Sequence, residues 1–226
     1  KQDQLSRRFG KFSTAEGLVY PEFDQNVHVI EPFDVPKEWQ CDLSIDPGLT
    51  NPTSCHFYAV DFDGNIYVVA EHFHVDKINA IANKLGWKRD EKGRLHALID
   101  SAANQRTLAS QKSVAELFCE RGIVVNTNVN KDLYSGIQRI KSLFEQRPPK
   151  IYIFKNCVNL IRELKSYWWG NGDRPKKVDD HALDELRYFV MSRPRPQKPP
   201  LPPKSEIQTD KEKLMRECRR ERWMKI

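Results

Sequence analysis

The sequence lacks the features that mark membrane proteins and secreted proteins. No apolar run approaches the ~18 residues that a membrane-spanning helix requires, and no signal-like segment opens the chain. The 5 cysteines are odd in number and show no Cys-x-x-Cys spacing, which argues against a disulfide framework or a zinc site. With 39% hydrophobic and 30% charged residues, the composition favours a soluble globular protein whose length allows one substantial core.

The net positive charge of residues 1–193 is small. The net charge is +6, but residues 194–226 hold 10 of the 37 basic and 5 of the 31 acidic residues, which leaves residues 1–193 at +1. A nearly neutral body can still segregate its charges, so this balance neither supports nor excludes a nucleic-acid partner. Six of the 14 prolines fall at 194–203, which predicts an extended linker before a basic tail at 204–226.

The apolar periodicity predicts an α/β protein. An alternating run at 41–46 and two β-rich runs at 56–62 and 66–73, joined through Asp63-Gly64, predict three consecutive antiparallel strands. Helical spacing then alternates with short apolar runs. The helices are expected near 78–85, 114–118, 137–144, 160–168 and 177–190, and the later strands near 95–100, 123–125 and 151–154. This order predicts a mixed sheet with helices on its faces, preceded by a lead-in segment over residues 1–40.

Acidic residues occur at the ends of two strands and at the start of the last helix. Asp46 and Asp100 each terminate a strand-like run, and strands that lie side by side would bring such ends together. The last helix offers Asp180, His181 and Asp184, and Asp184 shares a helix face with each of the other two. The apolar side of this helix, which is expected to pack on the core, is formed by Leu183, Leu186 and Val190. The four aspartates and His181 are therefore the candidates for the chemistry of the protein.

Carboxylates that lie close together repel one another unless a cation neutralises them. An oxygen-rich donor set favours Mg²⁺ or Mn²⁺ over zinc. Two such ions about 3.5–4 Å apart activate water and stabilise the leaving 3′ oxygen in phosphodiester hydrolysis. Taken singly, each aspartate also fits ordinary turn or helix-start chemistry, but their joint occurrence on two strands and the last helix favours metal-dependent phosphodiester cleavage.

The same residues resemble those of a known family. The runs are Ser44-Ile45-Asp46-Pro47-Gly48, Leu98-Ile99-Asp100-Ser101-Ala102 and Asp179-Asp180-His181-Ala182-Leu183-Asp184-Glu185-Leu186-Arg187-Tyr188. They resemble the nuclease domain of the large terminase subunit of tailed bacteriophages, which belongs to the RNase H-like, more narrowly RuvC-like, superfamily. Residues 7–20 are similar to the connector between motor and nuclease in that family, so the resemblance covers roughly residues 7–193.

The resemblance implies an RNase H-like α/β fold, with its first three strands antiparallel, its later strands parallel and a nuclease domain over residues 41–193. It implies a catalytic set of Asp46, Asp100 and Asp184 that binds two Mg²⁺ or Mn²⁺ ions, with His181 or Asp180 as a further ligand. The implied activity is largely sequence-tolerant cleavage of concatemeric double-stranded DNA at the start and end of genome packaging. The implied partners are DNA, a portal protein and a small terminase subunit, in the host cell cytoplasm and without a membrane.

One motif of whole large terminases is missing. The phosphate loop of their ATPase motor needs Gly-x-x-x-x-Gly-Lys-Ser/Thr, whereas Gly10-Lys11 is followed by Phe12 and the earlier glycine position holds Leu5. Because the chain also starts at Lys1 rather than Met, we expect an isolated C-terminal half without ATPase activity. Two alternatives stay open: a junction resolvase or transposase-type nuclease on the same fold, and a docking module whose acidic cluster is catalytically silent.

Overall fold

The computed structural model describes residues 17–46, 54–72, 77–105, 112–170, 173–178, 180–192, 194 and 215. The strands in these ranges are β1 (Val29–Ile30), β2 (Gln40–Asp46), β3 (Ser54–Val60), β4 (Ile66–His72), β5 (Leu95–Ile99), β6 (Ile123–Asn126) and β7 (Ile151–Phe154). The helices are α1 (Gln25–His28), α2 (Ile78–Lys84), α3 (Val114–Glu120), α4 (Leu133–Glu145), α5 (Val158–Ser166) and α6 (His181–Met191), with a 3₁₀ turn at Ser101–Asn104.

The strands form one mixed sheet in the order β1-β7-β4-β3-β2-β5-β6. The pairs β2–β3 and β3–β4 are antiparallel, while β5, β6 and β7 join the sheet in parallel. The predicted mixed sheet with three consecutive antiparallel strands is therefore confirmed. The hairpin between β3 and β4 turns where the Asp61 carboxylate accepts hydrogen bonds from the backbone N–H groups of Asp63 and Asn65, and Gly64 has a φ of 78° that favours glycine.

The register of β2 and β5 sets the position of the two strand-end aspartates. Ser44 pairs with Leu98 and Ile45 with Ile99. The next residues along these parallel strands are Asp46 and Asp100, so both aspartates lie at the same edge of the sheet on backbones about 5 Å apart.

The final helix α6 packs on one face of the central strands. Successive strand residues point to opposite faces, and the ring of Tyr58 stacks on Phe189 of α6 at a centroid distance of 4.0 Å. On the opposite face, Phe57 meets Trp87 edge-on at 5.2 Å. All seven residues of β3 are buried, as expected for a strand that is covered on both sides. Helices α4 and α5 also contact α6.

The segment before β2 joins the same core. Val19 and Tyr20 are buried, the backbone N–H of Val19 donates to the Tyr167 carbonyl at 2.8 Å, and β1 pairs in parallel with β7. The predicted domain boundaries stay predictions, and apart from Pro194 and Met215 the linker and basic tail lie outside the described residues. The helix predicted at 160–168 ends earlier, at Ser166, and the helix predicted at 177–190 begins later, at His181, because Asp180 is its N-cap residue. None of the described helices combines the length and apolar character that a membrane crossing requires.

Candidate active site

The position of the first turn of α6 is fixed by the buried apolar side chains of this helix and by a carboxylate of the neighbouring helix α5, which accepts hydrogen bonds from the turn. Leu183, Leu186 and Val190 are buried, as the sequence predicted. Asp180 occupies the N-cap position, but its side chain makes no capping hydrogen bond. Instead, Glu163 of α5 accepts hydrogen bonds from the backbone N–H groups of Ala182 at 2.9 Å and Leu183 at 3.2 Å. A carboxylate there satisfies the exposed N–H groups and complements the positive end of the helix.

Asp46 lies at the end of β2, directly against this turn. Its Oδ2 is 2.8 Å from Nδ1 of His181. Burial raises the pKa of the Asp46 carboxyl; the hydrogen bond from His181 opposes this shift, and the nearby charges of Asp184 and Asp100 add to it. Burial alone would lower the pKa of His181, but the contact with Asp46 outweighs burial and raises it. The strand end and the helix start are thus joined by a charged hydrogen bond.

Asp100 follows β5 and is held by three donors. Its Oδ1 accepts from the backbone N–H of Ala102 at 2.6 Å and from Nζ of Lys131 at 2.8 Å. Its Oδ2 accepts from the Tyr188 hydroxyl at 2.9 Å. Burial acts to raise the pKa of Asp100, but these donors together lower it. Asp100 therefore stays ionised although it is partly shielded from solvent.

Asp184 and Asp180 complete the cluster from the helix side. The Asp184 carboxylate is paired with the guanidinium of Arg187 on the next turn. Asp180 is buried, and burial followed by the charge of Asp184 raises the pKa of its carboxyl. The structure thus brings Asp46, Asp100, His181 and Asp184 to one edge of the sheet, with Asp180 at the helix start behind them.

Neither a protein-family profile nor a curated protein matches the sequence, but several solved structures share its fold. The nuclease domain of the phage P22 large terminase superposes with a TM-score of 0.64 at 16% identity, over 80% of this chain and 94% of that one. The large terminase of a thermophilic bacteriophage, solved in complex with ADP, superposes with a TM-score of 0.61 at 24% identity, over 84% of this chain. The chain has the fold of a large terminase nuclease domain.

The RNase H-like fold that the sequence predicted is thereby confirmed. The chain spans 50% of the length of the ADP-bound large terminase. The large terminase nuclease of the thermophilic phage G20c, solved with bound magnesium, superposes with a TM-score of 0.50 at 12% identity, over 76% of this chain and 95% of that one.

Asp46, Asp100 and Asp184 lie at the same edge of the sheet, but each of these three carboxylates already has a partner. Within the described part of the chain, no group of three or more His, Cys, Asp and Glu side chains is arranged so that it could hold a metal ion. The donor types of the candidate set nevertheless fit a hard cation, because they are mainly carboxylate oxygens; the charges of Asp184 and Asp100 also raise the pKa of Asp46, and a cation would relieve this repulsion. A bound cation would take over contacts that His181 and Lys131 now make.

Sequence reasoning missed the residues that hold the acidic ones. Lys131 lies 31 positions after Asp100, in the connection between β6 and α4. Tyr188 and Glu163 lie within helices, and nothing in their local sequence pattern indicates the polar partners that they have in the structure. The adjacency of β5 to β2 could have suggested that the residues after β6 also reach the site, since β6 is the next strand in the sheet.

Proposed function

We propose that the chain is a divalent-metal-dependent DNA endonuclease that cuts viral DNA during genome packaging. The observation that carries the proposal is the meeting of Asp46, Asp100 and the first turn of α6 at one edge of the sheet, on a fold shared with large terminase nuclease domains. Fold alone does not establish an activity. The proposal therefore rests on the acidic cluster at that edge.

The roles of the residues follow from where each one lies. Asp46, Asp100 and Asp184 would hold the ions through carboxylate oxygens, with His181 or Asp180 completing the set. Two Mg²⁺ or Mn²⁺ ions would supply activation of the attacking water and stabilisation of the leaving 3′ oxygen. The magnesium bound to the G20c nuclease supports this type of ion.

The charged partners of the acidic residues would act around the DNA. Lys131 reaches Asp100 from the loop before α4 and is exposed, so its ammonium group can turn toward a phosphate when Asp100 binds an ion. Arg187 is buried beside Asp184 and would keep that carboxylate oriented toward the site. No base-reading element is needed for such chemistry, so cleavage would be largely sequence-tolerant.

The proposed setting is the packaging assembly in the host cell cytoplasm. Concatemeric double-stranded DNA would be the substrate, cut at the beginning and end of packaging. A portal protein and a small terminase subunit would be the partners. The P22 domain and the ADP-bound protein that share the fold both come from large terminases, which supports this setting.

Plasmid cleavage tests the proposal. We expect the chain to nick and linearise supercoiled plasmid with Mn²⁺ and to lose this activity with EDTA. We expect Asp46→Ala to cleave at least about 100-fold more slowly, because even groups that only contact metal ligands contribute about 10–100-fold.

Asp42→Asn is the matched control. Asp42 lies on the same strand and face as Asp46, but at the other end, where it accepts a hydrogen bond from Gln40 Nε2 at 2.7 Å. Wild-type activity in Asp46→Ala, or an equal loss in Asp42→Asn, would contradict the proposal. Calorimetry without Mg²⁺ or Mn²⁺ binding would favour the silent docking module, and a preference for four-way junctions over linear duplex would favour a junction resolvase.

A further inference from the structure

A second charged cluster lies on the inner side of α6, where no substrate can reach it. Nδ1 of His56 on β3 is 3.0 Å from Oε2 of Glu185 on α6, and both side chains are completely buried. Nε2 of His56 is 3.4 Å from Oε2 of Glu71 on β4. Burial acts to lower the pKa of His56, but the two glutamates outweigh burial and raise it to about 9. His56 is therefore the cationic partner of two acidic side chains, although burial also raises the pKa of Glu185 to about 7.

The same cluster anchors the start of α5. Glu71 accepts hydrogen bonds from the backbone N–H groups of Asn159 at 2.8 Å and Leu160 at 3.0 Å. The N-cap residue of α5, Cys157, makes no side-chain capping bond of its own. Burial would raise the pKa of Glu71, but the bonds from His56 and from this helix start lower it. A carboxylate from the sheet thus caps α5.

Helix α5 in turn caps α6 through Glu163, which accepts from Ala182 and Leu183. The contacts therefore form a closed ring. Glu185 and His56 join α6 to β3, and Glu71 joins β3 to β4 and to the start of α5. Glu163 joins α5 back to the start of α6. We call the four side chains Glu185, His56, Glu71 and Glu163 the buried circuit.

The buried circuit lies directly behind the candidate ligands. Glu185 follows Asp184 in the sequence, and His56 is the cross-strand partner of Ser44, two residues before Asp46. The Ser44 hydroxyl donates to the backbone carbonyl of Glu185 at 3.3 Å. Both sides of the acidic site, the end of β2 and the first turn of α6, are therefore tied to the same buried residues.

Charged hydrogen bonds restrain geometry in a way that apolar packing does not. An apolar helix face can slide by a fraction of an ångström with little loss of contact. A buried carboxylate that leaves its partner keeps its charge without compensation, which is strongly unfavourable. A helix whose start is capped by Glu163 and whose Glu185 is bound to His56 has little freedom to shift relative to the sheet.

We propose that the buried circuit positions the first turn of α6 against the end of β2, and that His56 and Glu185 are positioning residues for the metal ligands His181, Asp184 and Asp46. This inference rests on the proposed nuclease function. None of the four side chains of the circuit touches DNA or the ions; they act through the spacing of the ligands. Groups that orient metal ligands typically contribute about 10–100-fold to metal affinity.

The test measures Mn²⁺ affinity by calorimetry on the 226-residue chain in four forms. These are wild type, His56→Gln, Glu185→Gln and the double variant His56→Gln/Glu185→Gln. We expect each single change to weaken Mn²⁺ binding about 10-fold or more, and the double variant to recover part of the loss because two neutral amides can again bond to each other. Ile153→Val, a buried change on β7, is the control and should bind Mn²⁺ like wild type.

Hydrogen exchange supplies a readout that does not depend on metal. The amides of Ala182 and Leu183 should exchange faster in both single variants, while those in the middle of α4 should keep their protection. If a single variant does not fold, Glu163→Ala replaces it, since this change frees the start of α6 without placing an unpaired charge beside His56. It should likewise weaken Mn²⁺ binding.

The outcomes distinguish a failure of the positioning role from a failure of the proposed nuclease function. Wild-type Mn²⁺ affinity in the folded variants, whether or not their amides exchange faster, overturns the positioning role and leaves the nuclease proposal standing. Equal weakening by Ile153→Val also overturns it, because the effect would then reflect general loss of stability. If the wild-type chain binds no Mn²⁺, the proposed function fails and the positioning role falls with it.

Discussion

Asp184 and Glu185 are neighbours in the sequence, yet they face different surroundings across the first turn of α6. Asp184 and the carboxylates near it are partly accessible, with side-chain exposures of 22% for Asp184 and 17% for Asp46. Glu185 and its partner His56 are both at 0%. We call Asp46, Asp100 and Asp184 the outer group, and Glu185, Glu71 and His56 the inner group. The partners of the outer group include the exposed Lys131 and the half-exposed His181, whereas the side chains of the inner group are enclosed by protein.

The comparison shows how one helix turn can serve two purposes. A bound cation could displace Lys131 from Asp100 and His181 from Asp46, because solvent reaches both partners and stabilises their charges once they are released. The inner carboxylates cannot exchange their partners without leaving a buried charge unpaired. We therefore expect changes in the outer group to alter activity and changes in the inner group to alter stability as well.

The largest expected effect comes from Asp184→Asn. The amide oxygen keeps the hydrogen bond to the buried guanidinium of Arg187 but removes its counter-charge, so the free energy of unfolding should fall by about 1–3 kcal/mol. Plasmid cleavage should slow by at least about 100-fold, because the amide is a poor ligand for Mg²⁺ or Mn²⁺. Thermal unfolding and cleavage rates measured on the same preparation check this. If Asp184→Asn unfolded the protein instead of slowing cleavage, a change in the outer group would act on stability like a change in the inner group, which would contradict the comparison.

His56→Leu should destabilise the protein more than any change in the outer group. It leaves Glu185 and Glu71 without their buried cation, which lowers the free energy of unfolding by about 3–5 kcal/mol. Adding Glu185→Leu should restore part of this loss, because the second apolar side chain removes one of the unpaired charges. Urea unfolding of the single and double variants measures both numbers. A double variant less stable than His56→Leu alone would show that the pair is not coupled as described.

The inner group also predicts a pH dependence of stability. The pKa of His56 is raised from 6.5 to about 9 in the folded chain, so its stabilisation is fully present below pH 6.5 and is lost as the pH rises through 9. The loss should be about 2–3 kcal/mol between these values. Glu185 and Glu71 are the charged groups that face the imidazole. Urea unfolding at pH 6.5 and 9 checks this, and the dependence should become much weaker in His56→Gln.

The smallest expected effect comes from Lys131→Met. Its ion pair with Asp100 is exposed on the lysine side, so the free energy of unfolding should change by less than about 1 kcal/mol. Mn²⁺ should bind a few times more tightly, because the ion no longer competes with an internal ammonium group for Asp100. Calorimetry measures this, and Lys155→Met is the control, since Lys155 forms a comparable exposed pair with Glu31 far from the site. Weaker Mn²⁺ binding in Lys131→Met would contradict the expected competition.

The candidate site was partly predictable because its ligands stand at the ends of elements with strong local patterns. Alternation marks β2 and the β3–β4 hairpin, and β5, which Asp100 follows, is a short and mostly apolar run. Parallel pairing of β2 and β5 then brings Asp46 and Asp100 together. The apolar stripe of α6 predicted which face packs inward at Leu183 and Leu186. The role of Glu185 on that inner face has no local signal, because a glutamate in a helix is usually exposed.

By itself, the sequence determined the kinds of elements, their order, and the presence of acidic residues at two strand ends and one helix start. Only the tertiary structure decided which partners those residues have: His181 on Asp46, Lys131 and Tyr188 on Asp100, and His56 on Glu185. The physical reason is distance along the chain. The His56–Glu185 contact joins residues 129 positions apart and the His181–Asp46 contact joins residues 135 apart, so such pairs form only after the sheet has ordered its strands and α6 has packed across them.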